Sequence, residues 1–164
     1  MQQSQSLWDF AVALYARPGA AEACLRRQDE EEADVCLLLV ALWLEQRGIA
    51  DSATRAAQLE RLARPWQAGV SGALRQLRRA WKSAAAEDAE LAELRRQVAT
   101  LELQAERILL ERLETLSATW PADARAAGRW LERLDPERNP GNRAQRAAAH
   151  ALLREAARTL AYFC

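Results

Sequence analysis

Apolar residues recur at helical spacing along most of the chain. A first helix is predicted over Ser6 to Arg17, where Pro18-Gly19 ends it, and a short second helix follows to about Gln28. The acidic run Asp29 to Glu32 is predicted to form a turn and the entry of the third helix, where carboxylates meet the positive end of the helix dipole. That third helix, Ala33 to Arg47, is apolar nearly all round, a pattern typical of a helix at the centre of a domain.

The middle of the chain is predicted to form two helices that meet at Pro65. Asp51 or Ser52 caps the first, which runs to about Arg64. The second carries an apolar stripe opposite an arginine-rich face. The stripe comprises Trp66, Val70, Ala73, Leu74, Leu77 and Trp81. A turn within 83–88 is predicted to end this helix, and the alternative is one unbroken helix of roughly fifty residues, which is rare in small domains.

A long helix over about 89–118 has the most regular pattern in the chain. Its heptad seam comprises Leu91, Leu94, Val98, Leu101, Ala105 and Ile108. The seam spans fewer than three repeats, which favours packing inside the chain's own bundle over a homodimer through residues 91–108. A short helix from Trp120-Pro121 to about Leu134 and a last helix over about 142–161 complete the pattern.

These elements predict an all-α, single-domain bundle over residues 1–164. It has six to eight helices, one of them the long helix, in a central or flanking position. Composition agrees, because the chain contains 36 Ala and 25 Leu but only seven Val and Ile together. Composition also excludes a disordered chain, a collagen and a scaffold built on disulfides.

Localisation is predicted to be cytoplasmic. The first residues, Met1 to Ser6, lack a cationic segment ahead of an apolar run, so a secretory signal is not expected. The longest apolar run, Val35 to Leu44, has ten residues, about half of a membrane span. The three cysteines, Cys24, Cys36 and Cys164, have no CxxC spacing, and their odd number argues against an oxidising compartment.

Several short motifs in the first third of the chain resemble a family of short bacterial proteins of unknown function. The motifs are Leu7-Trp8-x-Phe10, Tyr15-x-x-Pro18-Gly19, Cys24-Leu25-x-x-Gln28-Asp29, Asp34-Val35-x-Leu37-Leu38-Leu39 and Leu42-Trp43-Leu44. The family pattern has Gly before Asp34 and Asn after Val35, where this chain has Ala33 and Cys36. The resemblance implies no reaction, cofactor or catalytic residue.

Charge is segregated along a chain whose net charge is zero, with 23 basic and 23 acidic side chains. The candidate partner-binding residues are Arg75, Arg78, Arg79 and Lys82 on one helix face, together with Asp29, Glu30, Glu31 and Glu32. A second basic face on the last helix comprises Arg143, Arg146, His150, Arg154 and Arg158. Complementary charge patches mainly govern the choice of partner and the rate of encounter, so another protein is the predicted partner.

No motif for catalysis, metal binding or cofactor binding is present. The single histidine, His150, is predicted on the polar side of its helix, and Cys36 in the most apolar helix is predicted to be an inert small hydrophobe. The acidic run lacks the glycine and the spacing of a calcium loop. No catalytic residue, metal ligand or cofactor is therefore predicted.

The sequence thus predicts a non-enzymatic cytoplasmic adaptor that binds another protein through charged helix faces. The first alternative is RNA or DNA binding through the arginine-rich faces of the helices at about 65–82 and 142–161. The second is a helical bundle that binds a small apolar ligand, because six tryptophans are many for this length. Most of these are expected in the core, with Trp8 and Trp66 as the expected exceptions. Membrane attachment is not predicted.

Overall fold

The computed structural model describes residues 5–123, 125 and 128–161. Cys164 lies outside these residues. Within them there are eight helices and no β-strand, so the predicted all-α bundle of six to eight helices is confirmed. In chain order the helices are α1 (Leu7–Tyr15), α2 (Ala20–Glu31), α3 (Val35–Gln46), α4 (Ala53–Trp66, a π-helical turn at Gln67–Ser71, and Gly72–Ala80), α5 (Lys82–Ala85), α6 (Ala89–Ser117), α7 (Trp130–Leu134) and α8 (Arg143–Ala161).

Helix α3 is the centre of the fold, as its sequence predicts. Every residue from Val35 to Leu44 is buried, and the helix packs against α1, α2, α4, α6, α7 and α8. Asp34 caps its N-terminus by accepting hydrogen bonds from the backbone N–H groups of Cys36 and Leu37. Each helix among the described residues is either too short or too polar to span a bilayer.

The acidic run ends helix α2 and does not begin α3, so the predicted helix entry at Asp29 to Glu32 is wrong. Asp29 to Glu31 form the last turn of α2. The chain reverses at Glu32, whose φ of 53° lies in the left-handed region that closes many helices. The charged side chains therefore lie at the C-terminal end of α2, and Asp34 alone caps α3.

Helix α4 continues through Pro65, where the sequence predicts a boundary. A proline has no backbone N–H group, so one helical hydrogen bond is missing at Pro65. The helix nevertheless continues and widens into a π-helical turn at Gln67–Ser71. Gly72 follows this turn, and a β-carbon there would lie 2.3 Å from the carbonyl oxygen of Gln67. The π turn thus needs a glycine at position 72.

Three other boundaries test the predicted pattern. Ser52 caps α4 through a hydrogen bond from the N–H of Arg55. The chain turns between Ala80 and Ala89, with the one-turn helix α5 inside the turn, so one unbroken helix is excluded. Between Trp120 and Asp135 the described residues are helical only at Trp130–Leu134, so the longer helix predicted from Trp120-Pro121 to about Leu134 is wrong.

Candidate functional site

The acidic run at the end of α2 and the arginine-rich face of α4, the two charged segments predicted from the sequence, meet at one cleft. The cleft has a volume of about 630 Å³. We call it the charged cleft. Its charged lining residues are Glu32, Asp34, Glu60, Arg64, Arg75, Arg79 and Arg138. Four arginines and three carboxylates therefore surround a concave surface.

Arg75 and Arg78 are the anchored arginines, because both are held by helix α6. Arg75 donates to Glu102 at 3.1 Å and to Glu106 at 3.3 Å. Arg78 donates to the same Glu102 at 2.5 Å, and Arg95 of α6 donates to the carbonyl oxygen of Arg78. Glu102 is buried. These two arginines thus face α6, whereas the sequence predicts them on the face opposite the apolar stripe of their own helix, and no residue of that stripe is buried.

Removing the charge of Glu102 should reveal this anchoring. In Glu102→Gln a neutral amide replaces the carboxylate that the poorly hydrated guanidinium groups of Arg75 and Arg78 share. We expect the free energy of unfolding to fall by about 2–3 kcal/mol. Urea denaturation followed by circular dichroism measures this change. Glu111→Gln, which breaks the exposed ion pair with Arg107 on the same helix, is the control and should cost less than about 1 kcal/mol. Equal effects of the two substitutions would contradict the anchoring.

Arg79 and Lys82 are the exposed cations of the same helical stretch. Arg79 pairs with Asp29 at the end of α2, and both side chains are more than half exposed. Lys82 is exposed and has no ion pair with any described residue. Of the acidic run, Glu30 and Glu32 are exposed, whereas Glu31 is buried and accepts a hydrogen bond from Asn142. The residues available to a partner are therefore Arg79, Lys82, Asp29, Glu30 and Glu32.

The wall of the cleft holds a carboxylate that is not fully satisfied. Gln67, in the π turn, donates to Oδ1 of Asp34 at 2.8 Å, and Oδ2 of Asp34 is buried and lacks a hydrogen-bond partner among the described residues. Burial raises the pKa of Asp34, although its hydrogen bonds oppose this shift. The π turn thus places a side-chain amide over the cap of the central helix. Sequence periodicity gives no signal for either contact.

The second basic face is paired inside the molecule. Arg154 binds Glu45 and Glu132 in two forked pairs at 2.7–2.8 Å, which holds the pKa of Glu132 at about 2. Arg146 donates to the carbonyl oxygen of Asp135. Arg143 pairs with Glu137, and Arg158 pairs with Glu155. These contacts link α8 to α3 and α7.

His150 is buried, so its predicted position on the polar side of α8 is wrong. Its Nε2 lies 2.8 Å from Oδ2 of Asp135. Arg27 donates to the same carboxylate, from Nε to Oδ2 at 2.9 Å and from Nη2 to Oδ1 at 2.8 Å. Asp135 is fully buried, and Arg27 is 2% exposed. The sequence offers one weak signal for this cluster, because Asp135 lies beside a turn-forming proline and follows the apolar end of α7.

The two cysteines of the described residues, Cys24 and Cys36, are free and buried. Burial raises the pKa of Cys24 to about 12 and that of Cys36 well above its usual value. The prediction that Cys36 packs as a small hydrophobe agrees with its complete burial. No group of three or more His, Cys, Asp or Glu side chains among the described residues is arranged to hold a metal ion.

The tryptophans divide between the core and the edges of the bundle. Trp43 and Trp130 are buried, whereas Trp8, Trp66 and Trp120 pack partly exposed against the core. Trp8 lines an apolar groove of about 190 Å³ with Tyr15, Leu103 and others. The incomplete burial of Trp8 and Trp66 agrees with the prediction, but Trp81 and Trp120 are also half-buried, so the expectation that most of the tryptophans lie in the core is wrong.

The model of a family described as "Protein of unknown function (DUF2390)" matches residues 6–113. Because this match covers more than half of the chain, the chain belongs to that family, and the resemblance seen in the sequence is confirmed. No curated protein and no solved structure matches the chain.

Proposed function

We propose that this member of the DUF2390 family is a cytoplasmic protein-interaction module that binds an acidic segment of another protein in the charged cleft. The observation that supports the proposal is the meeting of the α2 end and the α4 arginines across one concave surface. Its Arg64–Glu60 and Arg79–Asp29 ion pairs are largely exposed. Exposed ion pairs of this kind contribute little stability, so a partner's carboxylates can replace them.

The contacts of the cleft favour a peptide segment with carboxylates over a simple anion. Guanidinium groups bind carboxylates in a forked geometry, and Arg64, Arg79 and Arg138 provide three such groups around the cleft. The neighbouring Glu32 and Glu60 disfavour a dense polyanion, because they repel its phosphates. Apolar lining from Leu37, Leu134 and Pro136 provides surface for side chains of the partner.

Two other functions receive less support from the same contacts. Nucleic-acid binding through the faces at about 65–82 and 142–161 would use arginines that already have carboxylate or carbonyl partners, including Arg75, Arg78 and Arg154. Binding of a small apolar ligand would use the groove beside Trp8, whose 190 Å³ is smaller than the roughly 300–1,000 Å³ of ordinary ligand pockets.

We expect the exposed cations Arg79 and Lys82 to contact the partner, whereas the anchored arginines stabilise the fold. We therefore expect the double variant Arg79→Glu/Lys82→Glu to fold normally and to lose at least about tenfold in affinity for a captured protein partner, because it reverses the charge of Arg79, which lines the cleft, and of the exposed Lys82 three residues further on. The wild-type chain and the variant are each immobilised on a surface, and the affinity of the same partner for each of them is measured.

The matched control is Arg107→Glu/Arg158→Glu, which makes the same change of net charge at exposed ion pairs away from the cleft. Its affinity for the partner should stay within about twofold of wild type. Equal affinity of wild type and Arg79→Glu/Lys82→Glu would contradict the proposed site. Equal losses in both double variants would show that net charge matters and the cleft does not.

A further inference from the structure

Residues 72–97 form a helical hairpin in which no residue is buried. The hairpin consists of the last part of α4, helix α5 and the first part of α6, and all 26 residues are half-buried or exposed. Its large apolar side chains are Leu74, Leu77, Trp81, Leu91 and Leu94. Leu77 is 40% exposed and Leu94 is 50% exposed. A two-helix hairpin has no third layer to cover such residues.

The exposed leucines lie on one side of this hairpin. Leu74 and Leu77 directly precede the anchored arginines, and Leu94 and Leu101 directly precede Arg95 and Glu102, which contact α4. One residue corresponds to about 100° of rotation, so each leucine lies about a quarter turn from the helix–helix interface. The two helices run antiparallel and face each other. A quarter turn in the same sense about each helix axis, taken along its own chain direction, therefore places the leucines of both helices on the same side of the hairpin.

The same apolar face continues along α6 into the body of the protein. Leu101 is 50% exposed and Ile108 is 39% exposed, and Ile108 lies with Leu62 and Leu116 around an open apolar depression. The predicted heptad seam is therefore divided, because Val98 and Ala105 are buried within the chain while Leu94, Leu101 and Ile108 remain exposed. From residue 90 to residue 112 the face is about 33 Å long.

We propose that a second copy of this chain covers this face, with the two α6 helices antiparallel and Leu101 on the two-fold axis. In that register Leu94 lies opposite Ile108 of the partner subunit, and Glu90 lies opposite Arg112 of the partner subunit. Neither Glu90 nor Arg112 has an ion pair with any described residue, and Arg112 lies over the ring of Trp66. The charges at both ends of the face are therefore complementary to those of an identical copy.

The architecture and the size of the face fit this occupant. Two hairpins joined through their apolar sides form a four-helix bundle, the usual way in which such hairpins cover their leucines. Two helices side by side are about 20 Å wide, so the face covers about 660 Å², within the roughly 600–1,000 Å² per partner of specific interfaces. The proposal does not depend on the proposed function of the charged cleft, which involves other residues.

Analytical ultracentrifugation of the full chain over a range of concentrations tests the proposal. We expect a dimer, and the variant Leu94→Glu/Leu101→Glu should raise its dissociation constant at least about tenfold. The control is Leu103→Glu, at a residue that is 54% exposed on the side of α6 that faces α1, and it should remain dimeric. Circular dichroism identifies any variant that has lost helix. A wild-type chain that is monomeric at every concentration would overturn the proposal.

Charge exchange tests the register without removing any leucine. Glu90→Arg and Arg112→Glu should each weaken the dimer, and the double variant Glu90→Arg/Arg112→Glu should restore it, because the two charges then exchange places across the two-fold axis. In addition, Leu101→Cys in a Cys164→Ser background should form an intermolecular disulfide under mild oxidation, since the two copies of residue 101 meet at the axis. Additive losses in the double variant together with no disulfide would overturn this register.

Discussion

Replacing Asp135 with Asn should lower the free energy of unfolding by about 3–5 kcal/mol. The carboxylate of Asp135 is fully buried and is the partner of both Arg27 and His150. The substitution preserves the shape of the side chain but leaves the guanidinium of Arg27 buried without the only carboxylate to which it donates hydrogen bonds among the described residues. Nη1 of Arg27 already lacks a hydrogen-bond partner among the described residues, so the site offers no replacement. Urea denaturation at neutral pH measures the loss.

The same carboxylate should make the wild-type protein sensitive to acid. Burial alone would raise the pKa of Asp135, but hydrogen bonds from His150 and Arg27 outweigh burial and hold it at about 2, below the usual 3.8. Because the folded pKa is the lower one, the stabilisation is complete above about pH 4 and is lost as the pH falls towards 2. The loss is about 2 kcal/mol, and Asp135→Asn should lack this part of the pH dependence.

Asp29→Asn is the matched control for the charge network. It also breaks an ion pair with an arginine, but both partners are more than half exposed, so we expect a loss of less than about 1 kcal/mol. A loss of about 1 kcal/mol or less in Asp135→Asn as well would contradict the view that this buried cluster ties α8 to α2.

Trp130→Ala should have the second large effect, with an expected loss of about 3–5 kcal/mol in the free energy of unfolding. Trp130 is fully buried, stacks on Trp120 with ring centroids 5.8 Å apart, and donates from Nε1 to the carbonyl oxygen of Ile49 at 2.7 Å. Removing the ring leaves a cavity between α3 and α7.

Trp130→Phe separates packing from the hydrogen bond. It preserves much of the apolar volume but leaves the buried carbonyl oxygen of Ile49 without this donor, so the expected loss is about 1–3 kcal/mol. Thermal and urea denaturation of both variants measure the two effects. An alanine variant no less stable than the phenylalanine variant would contradict the assignment of Trp130 to the core.

The helices were predictable from the sequence because their signals are local. The apolar surface of α3, the cap at Ser52 and the turn before α6 each depend on residues close together in the chain. Pro65 misled the prediction because a proline weakens a helix without always ending it, and here a π turn follows. The acidic run misled it because carboxylates occur at either end of a helix, and the chain reversal at Glu32 decides which end.

Of the charged residues that line the cleft, only Glu32, Arg75 and Arg79 were among the site residues predicted from the sequence, and their geometry was not predicted. Local sequence identifies Arg75, Arg78 and Arg79 as one charged stretch. Only tertiary packing separates them, because Glu102 is far from them in sequence and holds the first two. The cluster around Asp135 was missed for the same reason, since Arg27 is 108 residues away from it in the chain.

An affinity capture from native lysate, divided into nuclease-treated and untreated halves, tests the central claim of protein binding through the charged cleft most directly. We expect a protein partner that survives nuclease treatment and is lost with Arg79→Glu/Lys82→Glu but kept with Arg107→Glu/Arg158→Glu. Recovery of RNA or DNA alone, or of proteins that all disappear after nuclease treatment, would contradict the claim and would assign the arginine faces to phosphate binding.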